Sequence, residues 1–431
     1  MKGRAMKILP IENLRGEIKV PGDKSISHRS VIFSSLASST VEIENFLHGA
    51  DCLSTVDCMK KFGVDVKIDG EKVFVTGNGL RGLREPENIL DAGNSGTTLR
   101  LLLGLAAAQN FNTTFTGDDS LRQRPMGRVI KPLAEMGASI VGRNGNKNLP
   151  ITVIGGKNLC GITYEMPVAS AQVKSAIILA ALYAENPTTI IEPAPSRDHT
   201  EKMLSAFGVQ IEKVGNAIKI FPAKSLTAPE KIIVPNDISS AAYWIVLAAV
   251  TKNSAVTIKN VGVNQTRTGI LDVLKNMGAA IELENLHESG GELSADIKVT
   301  SSKLRGVEIG GAIIPRLIDE VPALAVAAAF AEGTTIIHDV GELRVKESDR
   351  LNAIVNEFNK ISRGSFEATA TDLIVHGGRE KIFAECKTYA DHRIAMALSI
   401  FGAAANGVEI DDADCVKISY PNFFQFVMRN A

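Results

Sequence analysis

The stretch "SAIILAALYAENPTTIIEP" at residues 175–193 joins an apolar run, a polar break and a second apolar run. The first run holds no charge over almost three helical turns, and the second is rich in Thr and Ile. This order predicts a buried helix that ends at Asn186–Pro187 and leads into a β-strand. The same order recurs five more times. The six predicted helices begin near residues 28, 96, 171, 239, 320 and 392.

A second repeat consists of a helix end, a glycine and an alternating strand. Its four copies place Gly63, Gly137, Gly208 and Gly278 directly after an amphipathic run. A glycine at this position is typical of the left-handed residue that ends a helix. Both repeats have a period of about 70 residues, longer than the roughly 20–50 residues of most solenoid repeats. The sequence therefore predicts six α/β units grouped into compact domains.

The six units divide as three plus three. Extended, Pro-bearing segments lie near residues 20–22 and 234–237, and we interpret both as crossings of one hinge. One predicted domain is 21–235, and the other is 1–20 plus 236–431, in which the N-terminal strands complete the last unit. The predicted fold class is a two-domain α/β fold.

The composition of the 431 residues limits the function classes. Apolar residues are 45% of the chain, charged residues are 22%, and the net charge is −1. Neither nucleic acid nor an anionic membrane is indicated as a partner. The apolar runs are near ten residues, whereas a membrane span needs about 20. With no signal-peptide pattern at the N-terminus, a cytoplasmic location is expected.

The five cysteines form no C-x-x-C pair, which predicts reduced core or surface thiols rather than a structural zinc site.

The predicted helix starts are unusually rich in cations. "VPGDKSISHR" at 20–29 places Lys24 and Arg29 at the first of them, and Arg100 and Arg393 lie at two others. Helix capping explains Ser and Asp at such positions, and capping is our whole account of Asp237 and Ser239. It does not explain cations, which oppose the helix dipole. Free N–H groups, cations and glycines together predict a site for multiply charged anions, although the Walker pattern is absent.

A further charge cluster is "LRVKESDR" at 343–350. Taken alone, such a run is typical of a solvated face. Seven phrases taken together have a different meaning, because they occur in one order and spacing: "PGDKSISHR", "GNSGTTLR", "QRPM", "VASAQVKSA", "LIDEVPALA", "RVKESDR" and "YADHRIAM". In this the chain resembles the 5-enolpyruvylshikimate-3-phosphate synthases, from about Lys19 to Lys417. The resemblance implies an inside-out α/β barrel fold, with two domains of three βαβαββ units each.

The resemblance also implies a reaction that needs no metal and no organic cofactor. The 5-hydroxyl of shikimate 3-phosphate attacks C2 of phosphoenolpyruvate while C3 gains a proton, and loss of phosphate and of a C3 proton follows. Asp319 is implied to accept the hydroxyl proton. Glu347 is implied to move a proton at C3, with Lys24 assisting. Because cations surround Asp319, its pKa is expected to be depressed.

The implied binding residues form two overlapping sets. Those for phosphoenolpyruvate are Lys24, Asn94, Gly96, Arg124, Gln172, Arg350, Arg393 and Lys417. Those for shikimate 3-phosphate are Lys24, Ser25, Arg29, Ser170, Gln172, Ser196, Arg197, Asp319 and Lys346. We interpret His28 and His392 as structural, since the reaction already has an acid and a base. Because residue 96 is a glycine, inhibition by glyphosate is expected. The protein is also expected to be a monomer.

Two alternatives remain open on the sequence. A UDP-N-acetylglucosamine enolpyruvyl transferase shares the fold and the chemistry, but that family typically has a cysteine where this chain reads "SLRQRPMGRVI". A phosphometabolite-binding protein without activity is the alternative from another class. Retention of Lys24, Asp319 and Glu347 disfavours it.

Overall fold

The structure is a computed structural model that describes residues 3–429, and it divides into two compact units. The first unit comprises the described residues up to Pro21, together with Asn236–His287 and the chain from Leu293 onward. The second unit comprises Gly22–Pro235 and the short segment Glu288–Glu292. Each unit has its own hydrophobic core.

The second unit holds three four-stranded sheets of one design. In each, the first two strands are parallel, and the remaining neighbours are antiparallel. In spatial order the strands are Lys231–Ile233, Thr40–Glu44, Lys72–Thr76 and Asp65–Asp69; then Leu90–Asp91, Thr113–Thr116, Asn148–Ile154 and Ser139–Gly142; then Thr163–Glu165, Thr188–Ile191, Ala217–Ile220 and Ile211–Val214.

The first unit holds two four-stranded sheets and one three-stranded sheet within residues 3–429. In spatial order the strands are Ala280–Ser289, Glu292–Thr300, Ala255–Gly262 and Arg15–Ile18; then Glu308–Ile309, Thr334–Ile337, Leu373–His376 and Phe366–Ala368; then Met6–Ile8, Val408–Ile410 and Ala384–Cys386. The N-terminal strands thus complete two sheets of the first unit, since Met6 pairs with Ile410 and Arg15 with Ala255.

Six buried helices form the centres of the two cores. They are Lys24–Leu36, Gly96–Ala106 and Ala171–Ala181 in the second unit, and Ile238–Val250, Val321–Phe330 and His392–Ala404 in the first. Their starts agree with the prediction to within four residues. They are buried around most of their circumference, as Trp244 and its neighbours show. Five of them are also mainly apolar, as expected of helices inside a protein, whereas Lys24–Leu36 buries serines, His28 and Arg29 along with its apolar residues.

Along the chain, most of the remaining helices and helical turns fall between successive strands. The α-helices are Ala50–Lys61, Asp119–Gln123, Gly127–Glu135, Arg143–Asn146, His199–Ala206, Gly269–Asn276, Arg350–Ala353, Asn359–Ile361 and Phe423–Arg429, the 3₁₀ turns are Gly311–Arg316, Gly341–Val345 and Asp414–Ile418, and one π-helical turn spans Ile354–Phe358. Across the described residues, none of these helices has the length and apolar character needed to cross a membrane.

The four glycines of the second repeat end helices in the left-handed conformation, as predicted. Their φ angles are 83° at Gly63, 104° at Gly137, 84° at Gly208 and 99° at Gly278. Because a Cβ is strained at such angles, glycine is the residue that turns the chain from helix into strand there.

Candidate active site

Three helix starts in the second unit are capped by side chains directly before the predicted binding residues. Asp23 Oδ1 accepts from the Ile26 N–H at 2.9 Å, and Ser95 Oγ accepts from the Thr98 N–H at 3.1 Å. Ser170 Oγ accepts from the Val173 N–H at 3.5 Å. Ser170 is therefore a helix cap as well as a predicted ligand residue. Each cap satisfies one N–H and leaves the others of the first turn directed at the helix start.

Lys24 opens the first of these helices, and its ammonium group pairs with the Asp51 carboxylate. Both side chains are mostly buried, with exposed fractions of 20% and 11%. Asp51 lies in the first turn of the Ala50–Lys61 helix, where its charge also suits the helix dipole. The pair therefore holds Lys24 at the helix start as a fixed cation.

Arg29 is buried one turn further along the same helix. Its Nη1 donates to the Ser25 carbonyl oxygen at 2.9 Å, its Nε to Thr200 Oγ1 at 2.7 Å, and its Nη2 to Ser175 Oγ at 2.8 Å. Burial lowers the pKa of Arg29 to about 10, which still leaves it charged at neutral pH. The structure thus brings Ser25 and Arg29 together around a buried guanidinium.

Asn94 and Arg124 contact each other beside Gly96. Arg124 Nη2 donates to Asn94 Oδ1 at 2.6 Å, and Asn94 Nδ2 donates to Asp118 Oδ2 at 2.6 Å. A Cβ built on Gly96 would lie 2.7 Å from Arg100 Nη1 and 3.5 Å from Arg124 Nη1. Two guanidinium groups therefore lie against the glycine, and the absence of its side chain leaves them room.

Gln172 joins two of the helix starts. Its Oε1 accepts from Arg100 Nη1 at 2.5 Å, and its Nε2 donates to Thr97 Oγ1 at 3.0 Å. Arg100 and Thr97 belong to the Gly96–Ala106 helix, whereas Gln172 begins the Ala171–Ala181 helix. Gln172 thus joins the helix that begins at Gly96 to the helix that Ser170 caps.

Ser196 depends on a buried charge cluster. Its Oγ and its N–H both contact Glu192 Oε1, the latter at 3.3 Å. Lys174 Nζ lies 2.9 Å from Glu192 Oε2, 2.7 Å from Glu201 Oε1 and 3.4 Å from the Ser196 carbonyl oxygen. Burial raises the pKa of Glu201, and Lys174 partly opposes that rise. Arg197 follows Ser196 and is half-buried.

In the first unit, Asp319 lies among three cations. One carboxylate oxygen, Oδ1, is 3.7 Å from Lys346 Nζ and 3.6 Å from Arg350 Nη1. The Asp319 carbonyl oxygen accepts from Arg393 Nη1 at 3.1 Å. The Asp319 side chain is 15% exposed, so it is mostly shielded and yet accessible to a ligand.

Arg350 links the other carboxylates of this group. Its Nη2 lies 2.5 Å from Glu347 Oε2, and its Nε lies 2.8 Å from Asp391 Oδ2. Asp391 Oδ2 also accepts from Ser348 Oγ at 2.9 Å. Burial favours the neutral form of Arg350, but the carboxylates of Glu347, Asp391 and Asp319 outweigh it and raise the pKa of Arg350.

Arg393 is oriented from two directions. Asp391 Oδ1 caps its helix by accepting from the Arg393 N–H at 2.9 Å, and Arg393 Nη1 lies 4.0 Å from Glu320 Oε1. Burial opposes the charge of Arg393, but Asp319, Tyr243 and Glu320 outweigh it and raise the pKa of Arg393. Arg393 therefore stays a cation throughout the accessible pH range.

Asp237 and Ser239 do more than cap a helix, contrary to the account given from the sequence. Asp237 Oδ1 accepts from the Ser239 N–H at 2.9 Å and from Arg267 Nη2 at 3.1 Å. Ser239 Oγ accepts from Arg267 Nη2 at 2.8 Å and contacts Glu320 Oε1. Capping patterns alone do not reveal such a cluster, because Arg267 and Glu320 are distant in the sequence.

Lys417 is exposed, whereas the two histidines of the helix starts, His28 and His392, are buried. The Lys417 side chain is 66% exposed, and its Nζ lies 2.7 Å from Asp414 Oδ1. His28 is buried with Nδ1 at 2.7 Å from Thr55 Oγ1, and burial lowers the pKa of His28 to about 3. His392 is 3% exposed. His28 is thus neutral at ordinary pH and belongs to the core, as expected.

Several members of these clusters are not singled out by the sequence analysis. They are Asp51, Lys174, Glu192, Glu201, Arg267, Glu320 and Asp391. One signal was available for Asp391, an acidic residue at a predicted helix start two positions before the candidate cation Arg393. The buried positions of Lys174 and Glu192 have no local signal. Across residues 3–429 no group of three His, Cys, Asp or Glu side chains could hold a metal ion.

Comparison with known proteins explains why these residues occur in this order. The family model described as EPSP synthase (3-phosphoshikimate 1-carboxyvinyltransferase) matches residues 8–427. The chain belongs to the EPSP synthase family. Two members, both curated as 3-phosphoshikimate 1-carboxyvinyltransferase, come from Thermoanaerobacter sp. (strain X514), 55% identical over 96% of each chain, and Bacillus subtilis (strain 168), 49% identical over 98% of this chain and 99% of the relative.

Solved structures agree with this membership. EPSP synthase from Acinetobacter baumannii is 41% identical, with a TM-score of 0.89 over 99% of this chain and 98% of that chain. The enolpyruvyl transferase NikO from Streptomyces tendae shares the fold, with a TM-score of 0.80 at 16% identity over 100% of this chain and 98% of that chain. The predictions of the EPSP synthase family, of a two-domain α/β fold and of a transferase function are confirmed.

Proposed function

We propose that this EPSP synthase family member transfers the enolpyruvyl group of phosphoenolpyruvate to the 5-hydroxyl of shikimate 3-phosphate and releases phosphate. The observation that carries the proposal is the Asp319 carboxylate, which lies within 3.7 Å of Lys346 and Arg350. Glu347 contacts the same Arg350. A base and an acid held by a common cation are what an addition followed by an elimination needs.

In the addition step, Asp319 accepts the proton of the 5-hydroxyl as the oxygen attacks C2 of phosphoenolpyruvate. C3 gains a proton at the same time, so the double bond is consumed and a tetrahedral intermediate forms. Lys346 Nζ and Arg350 Nη1 lie 3.7 and 3.6 Å from Asp319 Oδ1, and nearby cations favour a carboxylate over a carboxylic acid. Asp319 is therefore ready to act as the base.

In the elimination step, C3 loses a proton and the bond between C2 and the phosphate oxygen breaks. We assign the proton transfers at C3 to Glu347, with Lys24 assisting. Glu347 is 33% exposed and thus accessible, whereas its partner Arg350 is 1% exposed and fixed. Lys24 is oriented by Asp51 and supplies positive charge where the phosphate leaves.

The remaining residues bind anionic groups. We assign phosphoenolpyruvate to Lys24, Asn94, Gly96, Arg124, Gln172, Arg350, Arg393 and Lys417. We assign shikimate 3-phosphate to Lys24, Ser25, Arg29, Ser170, Gln172, Ser196, Arg197, Asp319 and Lys346. The support is the concentration of guanidinium groups and helix starts, which suit phosphates and carboxylates. The exposed side chain of Lys417 is the least constrained member of either set.

Glyphosate is proposed as an inhibitor that competes for the phosphoenolpyruvate site, because Gly96 leaves room beside Arg100 and Arg124. The expectations of a monomer and of a cytoplasmic location stay predictions from the sequence.

The test is phosphate release after mixing the protein with phosphoenolpyruvate and shikimate 3-phosphate. We expect release only when both substrates are present, together with an enolpyruvyl ether detected by mass spectrometry. The Asp319→Ala protein serves as the control for contaminating phosphatase. Release with UDP-N-acetylglucosamine in place of shikimate 3-phosphate, or no release with both substrates, would overturn the proposal.

A further inference from the structure

The turn before Asp391 and Arg393 has an unusual backbone. Tyr389 has a φ of 56° and Ala390 a φ of 54°, so two successive residues with a Cβ are left-handed. Each such residue costs roughly 1–2 kcal/mol relative to an ordinary conformation. The turn leads directly into the helix His392–Ala404, whose cap is Asp391. Interactions around the turn must therefore hold it in place.

Two carboxylates, the exposed Asp411 and the buried Glu357, supply those interactions. Asp411 Oδ1 accepts from the N–H and the Oγ1 of Thr388 at 2.8 and 2.9 Å. Glu357 contacts the turn with both oxygens: Oε1 accepts from Tyr389 Oη at 2.8 Å, and Oε2 accepts from the Lys387 N–H at 2.8 Å. Glu357 is 2% exposed. The Tyr389 hydroxyl is thus a donor to a buried acceptor, although Tyr389 as a whole is 44% exposed.

Glu357 lies in the π-helical turn Ile354–Phe358, which continues the short helix that Arg350 begins. Such turns are rare and occur often at functional sites. The segment that carries Glu347 and Arg350 is therefore joined twice to the segment that carries Asp391 and Arg393. One junction is the Arg350–Asp391 pair, and the other is Glu357 with Lys387 and Tyr389.

We propose that Glu357 is a positioning residue for the transfer reaction, which fixes the strained Tyr389–Ala390 turn and so sets the Arg393 guanidinium against Asp319. Glu357 acts through Arg393 and touches no substrate. This inference rests on the proposed function, since Arg393 is assigned there to phosphoenolpyruvate. Its consequence is specific: loss of the Glu357 contact weakens the binding of phosphoenolpyruvate more than the binding of shikimate 3-phosphate.

The protonation state of Tyr389 suits this role. Burial and the Glu357 carboxylate raise the pKa of Tyr389 to about 12, so its hydroxyl keeps the proton that it donates. Lys360 Nζ lies 2.6 Å from Glu357 Oε2, the oxygen that also accepts from the Lys387 N–H, and the Lys360 side chain is 42% exposed. Lys360 is thus the cation that compensates the buried Glu357 carboxylate. A matched control is Tyr183, whose hydroxyl donates to the Leu80 carbonyl oxygen at 2.8 Å in the second unit.

The experiment compares Tyr389→Phe with Tyr183→Phe by steady-state kinetics with both substrates. Tyr389→Phe keeps the ring and loses the hydroxyl donor. Because the lost hydrogen bond has a charged acceptor, we expect KM for phosphoenolpyruvate to rise roughly tenfold. KM for shikimate 3-phosphate should stay within twofold of the wild-type value. Hydrogen–deuterium exchange should become faster in a peptide covering 387–393. Tyr183→Phe, which loses a hydroxyl donor in the second unit, should leave both KM values and that exchange unchanged.

A Glu357 series keeps the inference falsifiable if one variant folds poorly. Glu357→Gln retains one acceptor oxygen and should raise KM for phosphoenolpyruvate less than Glu357→Ala. Equal effects on both substrates, or faster exchange at 387–393 with an unchanged KM for phosphoenolpyruvate, would overturn the positioning role. A wild-type protein that releases no phosphate would instead overturn the proposed function, so the two failures are distinct.

Discussion

Arg350 and Asp391 form an ion pair of 2.8 Å between Nε and Oδ2, and the two side chains are 1% and 0% exposed. Burial raises the pKa of Asp391, but Arg350 and His392 outweigh it, so the pKa of Asp391 lies below its ordinary value. The pair joins the segment carrying Glu347 to the helix carrying Arg393. It is the structural centre of the first unit's part of the proposed site.

Asp391→Asn should therefore reduce both stability and activity. The amide keeps the shape of the side chain but leaves the buried Arg350 charge with fewer partners. We expect the free energy of unfolding to fall by about 2 kcal/mol, less than the roughly 3–5 kcal/mol lost when a buried ion pair loses one partner completely. Urea unfolding followed by the fluorescence of Trp244, the single tryptophan, reports on this unit. Glu284→Gln, which removes a half-exposed partner of Lys298, is the control and should change stability by less than about 0.5 kcal/mol. Equal stability of the two variants would contradict the assignment.

Asp319→Asn should lower kcat by roughly 10²–10⁴, the usual contribution of a general base. The amide keeps the size of the side chain but accepts no proton. Binding of shikimate 3-phosphate, measured by calorimetry, should change only a few-fold, because the cations of the site remain. An unimpaired kcat would remove Asp319 from its proposed role.

Gly96→Ala should weaken glyphosate inhibition more than it weakens phosphoenolpyruvate binding. The added methyl would lie 2.7 Å from Arg100 Nη1, so the guanidinium must move and loosen its bond to Gln172. Overpacking of about 1–3 kcal/mol predicts a rise of about tenfold or more in the glyphosate inhibition constant. Gly127→Ala is the matched control, because its Cβ would meet Lys147 Cγ at an ordinary 3.8 Å. Equal effects of the two variants would argue against crowding.

His28 should make the second unit less stable in acid. The pKa of His28 is about 3 in the folded protein and about 6.5 when unfolded, so only the unfolded chain takes up a proton between them. The stabilising effect of this difference is complete above pH 6.5 and is lost as the pH falls. Between pH 7 and pH 5 it amounts to about 2 kcal/mol.

His28→Gln should lack this loss. Urea unfolding of both proteins at pH 7 and pH 5, followed by circular dichroism, measures the difference between the two changes. The same loss in His28→Gln as in the wild type would show that His28 does not titrate on unfolding.

Lys174→Met should destabilise the second unit by about 3–5 kcal/mol, because it leaves Glu192 and Glu201 buried without their cation. Adding Glu192→Gln and Glu201→Gln removes the uncompensated charges and should restore part of the loss. Thermal unfolding of the single and the triple variant measures this. A triple variant less stable than Lys174→Met alone would contradict the electrostatic explanation.

Much of the fold was predictable because its signals are local. Helices begin at residues 24, 96, 171, 238, 321 and 392, against predicted starts near 28, 96, 171, 239, 320 and 392. The period of the apolar residues, the glycines after the helices and the polar caps each act over a few residues. The order of the binding motifs is likewise a property of the chain and identified the EPSP synthase family before any contact was known.

The sequence by itself thus determined the repeats, the helix starts, the family and the residue types that are proposed to bind the substrates. Only the tertiary structure decided which charges meet: Arg350 with Asp391, Lys174 with Glu192 and Glu201, and Glu357 with Tyr389. Propensity and periodicity act between near neighbours, whereas an ion pair depends on packing that brings distant residues within a few ångströms. Burial then determines how strongly each of those charges interacts.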